Sequence, residues 1–189
     1  MIQIRKNVFE TNSSSTHSIA IPKKHADRYP NSITFNIGEY GWGFYEEDPA
    51  SYLYTAILDY YCGKVEEREE KLDRLKAALD KYSINYSFQD PVFRKWAKDS
   101  PYASLENGYI DHSGELGEFL DAVFKDDETL LDFVFYGLVF TGNDNCTDDE
   151  YDFVHRNKPI IYDYSDKEEN PNPYYTDEYE NYDWYMKGN

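Results

Sequence analysis

The residues best equipped for chemistry sit in one short stretch, Glu10-Thr11-Asn12-Ser13-Ser14-Ser15-Thr16-His17-Ser18. Its hydroxyls and backbone N–H groups can surround a phosphate or another oxyanion, and an imidazole among them can move a proton near neutral pH. Arg5, beside Lys6, brings positive charge from just upstream. The candidate ligand-binding residues here are therefore Arg5, Asn12, Ser13, Ser14, Ser15, Thr16 and His17. The same composition also suits an ordinary loop whose Ser, Thr and Asn side chains satisfy their own backbone. A second cluster, Asp111-His112-Ser113, sets a carboxylate beside an imidazole and a helix-capping hydroxyl, so His17, Asp111 and His112 are the candidates for acid/base catalysis. A triad needs adjacency in space, however, and a capped turn explains the same three residues. The third cluster is Gly142-Asn143-Asp144-Asn145, just after an apolar run. Strand ends often carry ligand contacts, which makes Asn143 and Asp144 candidates, with a plain turn as the alternative. If His17, His112 and the Asn143-Asp144 turn meet in the fold, they make one site.

Stronger signatures are missing. The chain has no Walker A loop, no dinucleotide fingerprint, no H-E-x-x-H, no paired C-x-x-C and no G-x-S-x-G elbow. No cofactor is expected, and no spacing of His, Cys or acids demands a metal. Cys62 and Cys146 are too few for a disulfide framework and read as buried or idle thiols.

The elements that must position these clusters follow from periodicity. Ile2-Gln3-Ile4-Arg5-Lys6-Asn7-Val8 alternates as a half-buried strand should, and Ser18-Ile19-Ala20-Ile21 resumes the alternation after the polar loop. Ile33, Phe35 and Ile37 share a face in a third strand, followed by a Gly-aromatic turn over Gly38-Glu39-Tyr40-Gly41-Trp42-Gly43-Phe44. Asp48-Pro49 reads as an N-cap and first helical residue, opening a core helix with Leu53, Ala56, Ile57 and Tyr60 that Gly63 stops. A long surface helix follows, with Val65, Leu72, Leu75, Leu79 and Tyr82 as its apolar stripe. A short strand over 84–88 and an irregular stretch over 91–101 lead to a helix capped by Ser113, carrying Leu116, Phe119, Leu120, Val123 and Phe124 on one face. A second helix over 127–136 ends at Gly137, Leu138-Val139-Phe140 forms a buried strand, and Lys158 to Tyr164 a last one. The expectation is one α+β domain over 1–164, a small mixed or antiparallel sheet packed against several helices, and an acidic, tyrosine-rich tail over 165–189 lying on the surface or disordered.

Charge is the strongest statement of the composition. With 19 basic and 37 acidic residues the formal net charge is −18, and about half of it falls beyond residue 142, while the first thirty residues are net basic. Such a surface repels nucleic acid and anionic membrane, so neither is an expected partner. No apolar run reaches the roughly 18 residues of a membrane helix, and the N-terminus lacks a secretory core, so the expected location is cytoplasmic.

The stretch Arg5-Lys6-Asn7-Val8-Phe9-Glu10-Thr11-Asn12-Ser13-Ser14-Ser15-Thr16-His17-Ser18 resembles the opening of a group of proteins from bacteriophages and their low-GC Gram-positive hosts. Gly38-Glu39-Tyr40-Gly41-Trp42, Ala50-Ser51-Tyr52-Leu53-Tyr54-Thr55, Tyr109-Ile110-Asp111-His112 and Thr141-Gly142-Asn143-Asp144-Asn145 are similar to that group as well. The resemblance implies a phage or mobile-element setting and brings no activity, substrate or catalytic residue.

Two functions are therefore expected, in order. The first is an acidic, DNA-mimic-like inhibitor of a basic host protein that handles nucleic acid or serves defence. Its surface is Asp177, Glu178, Tyr179, Glu180, Tyr182, Asp183 and Trp184, where carboxylates imitate phosphates and aromatic side chains anchor. A solvated acidic surface serving solubility is the plainer account of the same residues. The second is an enzyme or sequestering protein for a small phosphorylated or nucleotide ligand, using the Asn12 to Ser18 loop with Asp111, His112 and Asn143.

Overall fold

The structure is a computed structural model and describes residues 15–41, 45–95, 103–111, 116–143 and 182–187. Its centre is the helix α1, Pro49–Tyr60, in which every residue from Ala50 to Leu58 is buried. A helix apolar on all sides belongs inside a domain, so the other elements assemble around it. Asp48 caps it by accepting from the Ser51 N–H at 2.9 Å and the Ser51 hydroxyl at 2.6 Å, with Pro49 at the first helical position. The sequence reading of a single α+β fold with several helices and a small sheet describes this architecture.

Before α1 come the strands β1, Ser15–Pro22, β2, Ser32–Phe35, β3, Glu39–Tyr40, and β4, Tyr45–Glu46. The Gly-aromatic stretch is thus not a turn throughout. Glu39 and Tyr40 pair in parallel with Tyr109 and Ile110, and main-chain hydrogen bonds override the glycine content on either side. After α1 runs α2, Val65–Lys81, which buries Leu72, Leu75, Ala78 and Leu79 and packs on α1. Val65 departs from the predicted stripe and is exposed, because it is the first residue of the helix and lies beyond the contact with α1.

The strand β5, Asn85–Phe88, pairs in parallel with β2. The region expected to be irregular holds part of a small antiparallel pair, β6, Phe93–Lys95, with β7, Ala103–Leu105. Phe93 is what makes that pairing useful: its ring lies 4.2 Å from the guanidinium of the buried Arg68, which also donates to the Cys62 carbonyl. The strand β8 is Tyr109–Ile110, and α3, Gly117–Val123, follows with Leu116 rather than Ser113 in the cap position. Ser113 itself lies outside the described residues.

The helix α4, Asp127–Tyr136, is capped by Asp126, which accepts from the Thr129 N–H at 2.7 Å. Gly137 takes the C-cap position in an extended conformation, where a Cβ would lie 2.5 Å from the Phe133 carbonyl oxygen. The strand β9, Leu138–Asn143, is longer than its apolar run and reaches into the Gly142-Asn143 segment expected to turn. Cross-strand partners on β1 hold it extended, Gly142 opposite Thr16 and Asn143 opposite Ser15.

The largest sheet is antiparallel, in the order β10-β1-β9-β4. Its β10 is Tyr182–Lys187, inside the segment read from sequence as a tail on the surface or disordered. Those six residues instead pair with β1 from His17 to Pro22. Only Tyr182-Asp183-Trp184 alternates there, Tyr185 and Met186 break the pattern and acids dominate the segment before it, so pairing with β1 rather than periodicity sets the strand. The predicted strands over 2–8 and 158–164 lie outside the described residues.

Candidate functional site

β1 begins beside the end of β9, and this junction gathers the polar groups of the site. His17, third in β1, is fully buried, with Nδ1 2.7 Å from the Tyr52 phenol oxygen of α1. Either tautomer makes that bond, the phenol donating to Nδ1 or Nδ1–H donating to the phenol. Tyr52 is itself enclosed, edge-on to Tyr40 at 5.0 Å and to Phe119 at 6.1 Å. Burial pushes the Tyr52 phenol well above its usual range, with Tyr40 and the Glu47 charge adding to the shift, so it remains a neutral hydroxyl.

Across the ladder from His17 stands Thr141, also fully buried. Its hydroxyl donates to a Glu47 carboxylate oxygen at 2.9 Å, and the Glu47 N–H donates to the Val139 carbonyl at 2.8 Å. Burial raises the Glu47 carboxyl, against the opposing pull of the Thr141 hydrogen bond. Tyr40 is raised by burial and then by the Glu47 charge, while a hydrogen bond with Thr55 pulls the other way. An imidazole, a carboxyl that holds its proton more tightly than usual and two neutral phenols are thus gathered around the start of α1, with His17, Tyr52 and Thr141 inside the core.

Asp111, one residue past β8, donates its N–H to the Tyr40 carbonyl at 3.0 Å. Its Oδ2 is buried and has no hydrogen-bond partner among the described residues. Asp111 is thus joined to Tyr40 through the backbone, and its buried Oδ2 makes no hydrogen bond to His17 among the described residues. The backbone also places Ser15 opposite Asn143 and Thr16 opposite Gly142, so two of the three predicted clusters meet at the β1–β9 junction. Arg5, Asn12, Ser13, Ser14, His112 and Asp144 lie outside the described residues, as do Asp177, Glu178, Tyr179 and Glu180. Tyr182, Asp183 and Trp184 lie on β10, with Asp183 opposite Ile21 and 3.5 Å from the Lys23 ammonium.

Glu47, Tyr52, Tyr40 and Thr141 were not singled out by sequence reasoning. Tyr52 offered one signal, a hydroxyl-bearing residue inside a helix otherwise buried all round, since a buried phenol needs a partner. Glu47 offered none, because it stands in a run of three acids of which Asp48 has the obvious role of cap.

Among the described residues no group of three His, Cys, Asp or Glu side chains could hold a metal ion, and no helix is long and apolar enough to cross a membrane. Cys62 is half-buried, its thiol donates to the Ala103 carbonyl, and burial raises it away from reactive thiolate character. Comparison with protein-family models, with curated proteins and with solved structures finds no match for the chain.

Proposed function

We propose that the chain binds a small phosphorylated or nucleotide ligand where β1 begins and β9 ends, with His17 as the group that handles its proton. The observation that carries this reading is the cross-strand pair His17–Thr141, tied on one side to Tyr52 and on the other to Glu47. Burying a carboxyl whose proton affinity is raised costs stability, and such costs are concentrated at sites of function. Tyr52 fixes the imidazole ring, which supports a positioned acid or base. The overall charge of −18 opposes an anionic ligand, so the site needs local positive charge, and Arg5 and Lys6 stand upstream of the Ser-rich loop. The test is titration of the full chain with inorganic phosphate, nucleotides and sugar phosphates, following the amide resonances of His17, Thr141 and Asn143. Saturable shifts that weaken in Glu47→Gln support the site, and unmoved resonances with every probe reject it.

A second reading keeps the acidic surface as the working part, in a phage-type inhibitor of a basic host protein. It is favoured by β10, an edge strand of the largest sheet among the described residues, which carries Tyr182, Asp183 and Trp184 and where a partner strand can add. Basic nucleic-acid-handling proteins should then be retained at low salt and released at high salt. Joint replacement of Asp177, Glu178, Glu180 and Asp183 by Asn or Gln should abolish retention, and absence of any basic partner at low salt contradicts this reading.

A further inference from the structure

Beyond the far end of β1 a second histidine is held in a different way. His25 Nδ1 lies 2.6 Å from Oδ2 of Asp132, a side chain of α4 with no exposure at all. The other oxygen, Oδ1, accepts from the Ala26 N–H and from the Tyr29 hydroxyl, each at 2.9 Å. A buried carboxylate with three donors is a rigid anchor, and it assigns the His25 proton to Nδ1. Nε2 is then the ring nitrogen left for the surroundings, and the His25 side chain is about half exposed.

Those surroundings form a pocket of about 220 Å³ lined by Ile21, Pro22, Lys23, His25, Ala122, Lys125, Thr129 and Asp183. One water needs roughly 10–15 Å³ of such space, so the pocket admits a considerably larger solute. Its lining brings two ammonium groups, an imidazole and a hydroxyl against one carboxylate, Asp183, while Asp126, Glu128 and Asp132 lie on the α4 side of His25. Asp183 is 3.5 Å from Lys23 and is supplied by β10, so a carboxylate of the chain already occupies part of the cationic rim.

We propose that this pocket is a binding site for a small oxyanion, a phosphate ester or a carboxylate, held by Lys125, Lys23 and protonated His25 with the Thr129 hydroxyl, and that Asp183 competes with the anion for Lys23. The site is separate from the His17 junction, from which it is divided by the length of β1, and does not depend on it. Besides Lys23 and Lys125, the charged groups facing His25 are Asp132, Asp126 and Glu128 around α4 and Asp183 on β10. The hydrogen bond to Asp132 outweighs desolvation and raises the His25 pKa above its ordinary 6.5, which favours the cation when an anion arrives.

The test titrates the 189-residue chain with inorganic phosphate in one arm and succinate in the other, following the His25 ring resonances between weakly acidic and alkaline pH. Saturable binding in either arm is expected, and the arm that saturates at lower concentration identifies the phosphate or the carboxylate class. Affinity, read by calorimetry so that the variant lacking the ring is measured too, should fall by about tenfold in Lys125→Gln and in His25→Gln, as loss of one charge-assisted hydrogen bond implies. It should rise in Asp183→Asn, weaken as pH rises through the His25 pKa, and stay unchanged in Glu47→Gln. All the replaced side chains but that of Glu47 line the open pocket, so these variants are expected to fold. No saturable response of His25 to either probe, or equal affinity in Lys125→Gln and the parent, overturns the proposal.

Discussion

The two ends of β1 each hold a histidine next to the helical layer, and they solve the burial of an imidazole in opposite ways. At the start of the strand, His17 is fully enclosed and bonded to a neutral phenol, and its cross-strand partner Thr141 donates its hydroxyl to Glu47. Past its end, His25 is half exposed and bonded directly to a carboxylate that is itself fully enclosed. The partner decides the consequence. The carboxylate of Asp132 stabilises the His25 cation, so that ring carries a charge that follows pH near neutrality.

The largest effect should come from removing the anchor at the second end. Asp132→Ala leaves the Ala26 N–H and the Tyr29 hydroxyl without their acceptor and opens a cavity beneath the connection over 23–31. Loss of about 3–5 kcal/mol in urea unfolding is expected, as for breaking a buried charged network. At the first end, Tyr52→Phe deletes one hydroxyl and leaves the enclosed imidazole nitrogen without that bond, for a loss of about 1–3 kcal/mol in the same assay. If Tyr52→Phe proves the more damaging, the ranking of the two ends is reversed.

Glu47→Gln should act in the other direction. Its raised pKa means that the folded state prefers the neutral carboxyl, so ionisation of Glu47 costs stability as pH rises from the unfolded value near 4.5 through the folded one. The amide keeps an acceptor for the Thr141 hydroxyl and removes that cost. Thermal stability at pH 7 should therefore equal or exceed that of the parent, by less than about 1 kcal/mol after solvent screening, and the difference should vanish toward pH 4. The smallest effect is the pH slope from His25. Its folded pKa is raised, so its contribution is complete below about pH 6.5 and is lost as pH rises through the folded value. His25→Gln should flatten that part of the stability profile, as followed by thermal melts at several pH values.

The sequence foretold the first end better than the second. Alternation over Ser18 to Ile21 and the apolar run at Leu138 located β1 and β9, and the polar residues at their ends pointed to the junction. Its internal partners were not legible, because Tyr52 lies 35 residues from His17 and Thr141 stands just past the apolar run, beside the Gly142-Asn143 segment expected to turn. The His25–Asp132 pair spans 107 positions and joins a residue in a lysine-rich connection to one that reads as a polar residue on an amphipathic helix. Neither neighbourhood carries a motif, and only packing of the connection against α4 creates the pair. The edge strand β10 was hidden for a related reason: surrounding acids and tyrosines set the composition of the segment, while pairing with β1 sets its conformation.

The most direct measurement of the central claim is a titration of the chain carrying His25→Gln and Lys125→Gln with nucleotides and sugar phosphates, reading the amides of His17, Thr141 and Asn143. With the pocket past the far end of β1 disabled, saturable shifts at the β1–β9 junction are the predicted result. Unmoved junction resonances across the series would contradict a ligand site at His17.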